Sequence, residues 1–133
     1  MNYGQLPRFR FRPTQRLLVP AEFRRVMDGP TLRASHAGFV LLAIENDRPV
    51  ARIGFVLPKR RIRLAVARNR VKRIIRESFR CHQVILAGLD IVVMARDGLA
   101  SLDAATLRST VDRQFQYLAG KRQAAITRDT SPR

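Results

Sequence analysis

Apolar residues in the stretch 68–80, RNRVKRIIRESFR, recur at Val71, Ile74, Ile75 and Phe79. Steps of three and four predict an amphipathic helix with one buried stripe. The same period runs through VPAEFRRVMDG at 19–29, where Phe23, Val26 and Met27 share a face. Pro20 suits the first helical position there, and Gly29 with Pro30 are stop signals. A third helical pattern links Leu107, Val111, Phe115 and Leu118, with Ser101 or Asp103 as its cap and Gly120 as its expected end.

Between these helices the pattern changes to that of strands. GFVLLAIE at 38–45 and VARIGFVLP at 50–58 are β-rich, and the turn-forming NDRP between them predicts a hairpin. In the second run Ile53, Phe55 and Leu57 alternate with Arg52, Gly54 and Val56. In the first run both faces are apolar, so both need cover. A short strand is expected near residues 31–36, and LDIVVMAR at 89–96 is another, following the turn-prone Gly88. A helix followed by a strand suggests a crossover. The order α-β-β-β-α-β-α predicts an α+β sandwich of about four strands and three helices, one domain over residues 1–120. Residues 121–133, KRQAAITRDTSPR, have little to bury and are expected to form a mobile basic tail.

Charge changes this picture. The chain of 133 residues carries 26 Lys and Arg against 10 Asp and Glu, a formal net charge of +16. With 46% hydrophobic residues it can build a core, so the excess points to a folded domain with a polyanionic partner. The apolar positions are spread over several short elements, which favours nucleic acid over a membrane surface. Lysine occurs only at 59, 72 and 121. The dominant arginine suits bidentate phosphate contact and base stacking, both of which folded RNA offers. On the 68–80 helix Arg68, Asn69, Lys72, Arg73, Arg76 and Arg80 fall on one arc beside the apolar stripe, with Arg70 apart from them near its far edge. Like charges three and four apart each cost a few tenths of a kcal/mol, and Glu77 reaches only Arg73 and Arg80. At the N-terminus, RFRFR at 8–12 would set Phe9 and Phe11 on one side of an extended segment and three arginines on the other.

Catalytic chemistry is harder to find. The acids are scattered, whereas a metal-dependent nuclease needs converging carboxylates. His36 and His82 are the only histidines, and Cys81 and His82 are neighbours whose side chains diverge by about 100° on a helix. No glycine-rich phosphate loop is present. No catalytic residue and no metal site is therefore assigned. The single cysteine excludes an internal disulfide, and MNYGQLPRFRF has no apolar signal segment, so a cytoplasmic setting is expected.

Residues 59–80, KRRIRLAVARNRVKRIIRESFR, resemble the signature of the bacterial ribonuclease P protein component: a basic pair before AV, one variable residue, then RNR, KR, RE and FR. RLLVPAEFRRVMDG, RIGFVLPK and LDIVVMAR follow the family's order and spacing, so that the resemblance extends from Arg16 to Leu118. It implies a left-handed crossover around the basic helix. It also implies that an RNA subunit with bound Mg2+ carries the phosphodiester chemistry, while the protein binds that RNA and the 5′ leader of precursor tRNA. Carried over by position, Arg68, Asn69, Arg70, Lys72, Arg73 and Arg76 would face the RNA subunit. Arg16, Phe23, Lys59 and Arg60, with Phe9 and Phe11, would meet the leader. Met27 and Leu42 stand where some relatives have aromatics, which implies weaker stacking in the cleft. Neither a membrane nor protein oligomerisation is expected to be required. The alternative reading is a structural RNA-binding protein, for example a ribosome-associated one.

Overall fold

The computed structural model describes residues 15–130, with side chains through residue 126. Its elements are α1 (Pro20–Asp28), β1 (Leu32–Ser35), β2 (Phe39–Glu45), β3 (Arg52–Val56), α2 (Ala65–His82), β4 (Leu89–Ala95) and α3 (Ala104–Thr130). A short 3₁₀ turn, Leu99–Ser101, precedes α3. The four strands form one mixed sheet in the order β1-β2-β4-β3. Helices α2 and α3 pack together over one face, and α1 lies on the other.

The apolar runs β2 and β4 occupy the middle of the sheet because both are buried on both faces. Phe39, Leu41, Ala43, Ile91 and Val93 face α2 and α3, where Val71, Ile75, Phe79, Leu107, Val111, Phe115 and Leu118 meet them. Val40, Leu42, Ile44 and Val92 point the other way, under Val26 of α1. The second apolar face of β2 is thus covered by protein, and Leu42 is buried in that contact. Ser78 completes the buried stripe of α2, its hydroxyl bonded to the Asp112 carboxylate of α3.

Two sequence expectations are corrected. The hairpin joins β1 to β2 and not β2 to β3, because β4 inserts between the latter two, antiparallel to β2 and parallel to β3. The NDRP segment therefore bridges over β4. Asn46 holds it there, donating to Val50 O and Asp90 Oδ1 and accepting from Arg48 N–H, while Asp47 adopts φ 57°. The local turn chemistry was legible, but the continuous apolar character of β4 gives it the central place. The second correction concerns Gly120, which does not end α3; the helix continues to Thr130. Glycine in a helix interior costs about 1 kcal/mol relative to alanine, and here the following turn is held by tertiary bonds. Lys121 donates to Arg33 O, and Arg122 donates to Ala87 O and Glu45. Asp103 caps the other end of α3, accepting the Thr106 N–H at 2.7 Å.

An ion triad, buried at Arg52 and Asp90 and partly exposed at Glu22, joins the two sides of the sheet edge. Arg52 on β3 donates to both Asp90 oxygens on neighbouring β4, at 2.8 and 2.6 Å, and to Glu22 of α1 at 2.7 Å. Arg52 is 5% exposed and Asp90 1%. The bond from Asp90 raises the Arg52 guanidinium above its usual range, against the opposing effect of burial. Glu22 also reaches back to accept the Leu18 and Val19 N–H groups at 2.9 and 3.2 Å, satisfying donors at the start of α1. These bonds, and then the Arg52 cation, hold the Glu22 carboxyl below its usual 4.5.

Removing Arg52 would leave Asp90 charged in the interior, so Arg52→Ala should cost about 3–5 kcal/mol. Arg61→Ala breaks a pair whose Asp97 partner is 88% exposed and should cost well under about 1 kcal/mol. Urea denaturation midpoints at constant slope measure both. Because the Glu22 carboxyl titrates lower when folded, its stabilisation is fully present above about pH 4.5 and is lost as the pH falls below that value. Urea midpoints measured from pH 6 to about pH 3 should show a shallower acid loss for Glu22→Gln than for the wild type.

Candidate nucleic-acid interface

The segment before α1 runs along the free edge of β3: Arg16 pairs with Ile53 in parallel, and Leu17 N–H donates to Ile53 O at 3.0 Å. This brings Arg16 to the mouth of a cleft of about 170 Å³ between α1, β3 and α2. Phe23 of α1 and Phe55 of β3 supply its aromatic surface, and Lys72 and Arg76 of α2 its cations. Gly54 allows this approach. A Cβ there would lie 2.5 Å from the Phe23 ring and 2.9 Å from Leu17 Cβ, so only glycine lets the ring lie on the strand backbone.

The cleft is electropositive and partly shielded from water. The Arg76 guanidinium stacks over Phe55, 5.2 Å from the ring centroid. Burial, and secondarily the nearby Arg16 cation, lower the Arg76 guanidinium from its usual value. Two cations held close together in a half-buried site form an arrangement that a bound anion relieves.

The α2 cations do not present a single face. Lys72 and Arg76 turn toward the cleft with Arg16 and Phe23, although the family resemblance implies separate contacts for the two pairs. Asn69 and Arg73 are exposed. Arg68 folds back on the loop before the helix, donating to Ile62 O at 2.8 Å and Arg63 O at 3.1 Å. Arg70 donates to Leu102 O at 3.1 Å on the opposite flank, where the 3₁₀ turn meets α3. The RNR arginines thus also fasten the start of α2 to its surroundings. Arg80 pairs with Glu77 at 2.5 Å. Lys59 and Arg60 are exposed in the turn that follows β3, while Phe9 and Phe11 lie outside the described residues.

Phe55, Gly54 and the Arg52 triad were not singled out as parts of a site from sequence. A glycine inside an alternating strand is itself a signal of close approach, and it was the only such cue available for Gly54. His36 and His82 are occupied locally: His36 Nδ1 accepts the Gly38 N–H, and His82 Nδ1 lies 2.7 Å from Ser78 O. Among the described residues no group of three or more His, Cys, Asp or Glu side chains is arranged to hold a metal ion. What the cleft can do is bind: it offers cations and ring faces to a flexible anionic strand.

Comparison with known proteins agrees on one family. The family model Ribonuclease P matches residues 11–119. The ribonuclease P protein component of Stutzerimonas stutzeri is 51% identical over 89 residues, 67% of this chain and 68% of that one. That of Pseudomonas putida is 39% identical over 122 residues, covering 91% of this chain and 92% of the relative. Among solved structures, the Staphylococcus aureus RNase P protein superposes with a TM-score of 0.71 at 25% identity, over 77% of this chain and 94% of that one. The Thermotoga maritima RNase P protein gives 0.66 at 27% identity, over 77% and 96%. With the family pattern spanning the sheet, the cleft and all three helices, the chain belongs to the ribonuclease P protein family.

Proposed function

We propose that this protein is the accessory subunit of a ribonuclease P holoenzyme, which removes the 5′ leader from precursor tRNA by phosphodiester hydrolysis. The observation that carries this reading is the cleft itself, where Arg16, Lys72 and Arg76 surround Phe23 and Phe55 and, among the described residues, no carboxylate lines the surface. Such a surface binds a single strand through its phosphates and base faces but has no group to activate water. The RNA subunit then supplies the chemistry, together with Mg2+ held by RNA and substrate. The leader lies in the cleft, and the exposed Asn69 and Arg73 face the RNA subunit along with the flanks of α2. The setting is the bacterial cytoplasm, where the exposed free thiol of Cys81 stays reduced.

The cation arc on α2 is consistent with this role. Its repulsion is a cost to the free protein that RNA phosphates convert into attraction. Lys59 and Arg60, at the end of β3, extend the positive surface beyond the cleft.

Precursor-tRNA cleavage at low millimolar Mg2+ tests the proposal with three samples: protein alone, a bacterial ribonuclease P RNA alone, and the two combined. Only the mixture should cut efficiently at the mature 5′ end. A protein that leaves the RNA's activity unchanged would overturn the reading and leave a structural RNA-binding role. For the cleft, binding of a leader-length oligoribonucleotide should weaken with salt at a log–log slope of about −2, from three phosphate contacts at about 0.7 each. Lys72→Gln should reduce that slope by about 0.7. Gly54→Ala, which drives a methyl group into the Phe23 ring, should weaken leader binding more than binding to the RNA subunit.

A further inference from the structure

At the sheet edge opposite the cleft, a groove of about 560 Å³ runs between β1 and α3 and is lined by Arg33, Ser35, Arg113, Gln114, Tyr117 and Lys121. We infer that this groove is a second RNA contact, which takes a phosphodiester stretch of the RNA subunit and stacks a base on Tyr117. The inference rests on the reading that the protein's partner is a ribonuclease P RNA.

Among the described residues, three of the lining side chains are cations and none is a carboxylate. Tyr117 is 55% exposed, although it lies between the buried Phe115 and Leu118 on a helix that buries its other aromatic. Its ring is held in place from one side. Lys121 Nζ sits 5.4 Å from the ring centroid while donating to Arg33 O at 2.9 Å, which also ties the helix to the edge strand. Arg33 Nε is steadied by Ser35 Oγ at 3.2 Å. A fixed, exposed aromatic ring bordered by guanidinium groups is the arrangement that binds an unpaired nucleotide. Protection of an edge strand from pairing with another sheet would account for charge at Arg33 and Lys121. It would not account for Arg113 or for the uncovered ring of Tyr117. An acidic peptide would satisfy the cations too, but a nucleotide pairs each negative charge with a flat base at the spacing of one residue, which suits cations set directly beside an exposed ring.

The location selects the RNA subunit over the leader. Strand β1 is separated from β3 by β2 and β4, three interstrand spacings or about 14 Å, so a leader seated at the β3 edge occupies the other side of the molecule. The groove instead continues the helical layer. Arg73 and Arg108 line the seam between α2 and α3, and Arg113 follows on α3 toward β1. Glu77 and Asp112 offset Arg80 and Arg108 within this seam, while Arg73 and Arg113 stand exposed on either side of it, toward the α2 arc and the β1 edge.

The test measures binding of the full-length protein to labelled ribonuclease P RNA and, separately, to a leader-length oligoribonucleotide across a salt series. Tyr117→Ala should weaken RNA-subunit binding about tenfold, and Tyr117→Phe should retain it. Arg113→Gln should lower the magnitude of the salt slope by about 0.7–0.9. Oligonucleotide binding should not change. If the wild type binds the RNA subunit and these variants match it in affinity and slope, the groove assignment is overturned while the accessory-subunit reading stands. Loss confined to the oligonucleotide overturns it as well and transfers the groove to the substrate. A wild-type protein that does not bind the RNA subunit overturns both. Arg113 is exposed and has no role in the core, so its variant decides the matter even if Tyr117→Ala alters the thermal melt.

Discussion

The Arg52 guanidinium is the interaction on which the arrangement of the site depends. Three elements remote in sequence meet at one buried cation: β3 supplies it, β4 supplies Asp90, and α1 supplies Glu22. A charge that is 5% exposed is tolerable only if its hydrogen bonds are made. The triad therefore penalises any slip in the parallel register of β3 against β4, and any displacement of α1 along the sheet. Because Phe23 follows Glu22 directly, setting the carboxylate on Arg52 also sets the ring on Gly54. The cleft is in this sense a product of the core.

Its cations come from a different constraint. Helix α2 is anchored by Val71, Ile75 and Phe79, which are wholly buried, and by the Ser78 bond to Asp112. Apolar burial of several side chains, at roughly 1.5–3 kcal/mol each, far exceeds the few tenths lost per like-charge pair on its outer surface. The fold can thus hold six cations on one helix without relying on RNA for its stability. The protein meets its partner with the positive surface already assembled, which lowers the ordering cost of binding. The packing of Arg76 over Phe55 and the bonds of Arg68 and Arg70 to backbone carbonyls reduce side-chain freedom further before any RNA arrives.

Much of this was legible from patterns within single segments. Pro20 and Gly29 bound α1, Asp103 caps α3, and the apolar stripe of α2 is buried, with Ile74 at its margin. These features depend on residues a few positions apart, where helix geometry converts spacing into direction. The same logic failed at Gly120, since a glycine is a stop signal only when nothing beyond it is held. Arg122, docked on Glu45 and the Ala87 carbonyl, lies beyond it. It failed also for the NDRP turn, whose residues fit a hairpin but whose flanking strands are separated by β4.

By itself the sequence determined the elements, the excess of arginine, the scattering of the few acids, and the RNR-centred motif that marks the family. Tertiary structure alone decided which strand lies between β2 and β3, that Arg52 faces inward to Asp90 and Glu22, and that Lys72 and Arg76 join Arg16 and Phe23 while Arg70 turns to α3. The division has a physical cause. Helical periodicity and capping are local, whereas strand order, buried charge pairing and the sharing of one cleft by residues 16 to 76 arise from contacts between segments whose separation along the chain carries no trace of their meeting.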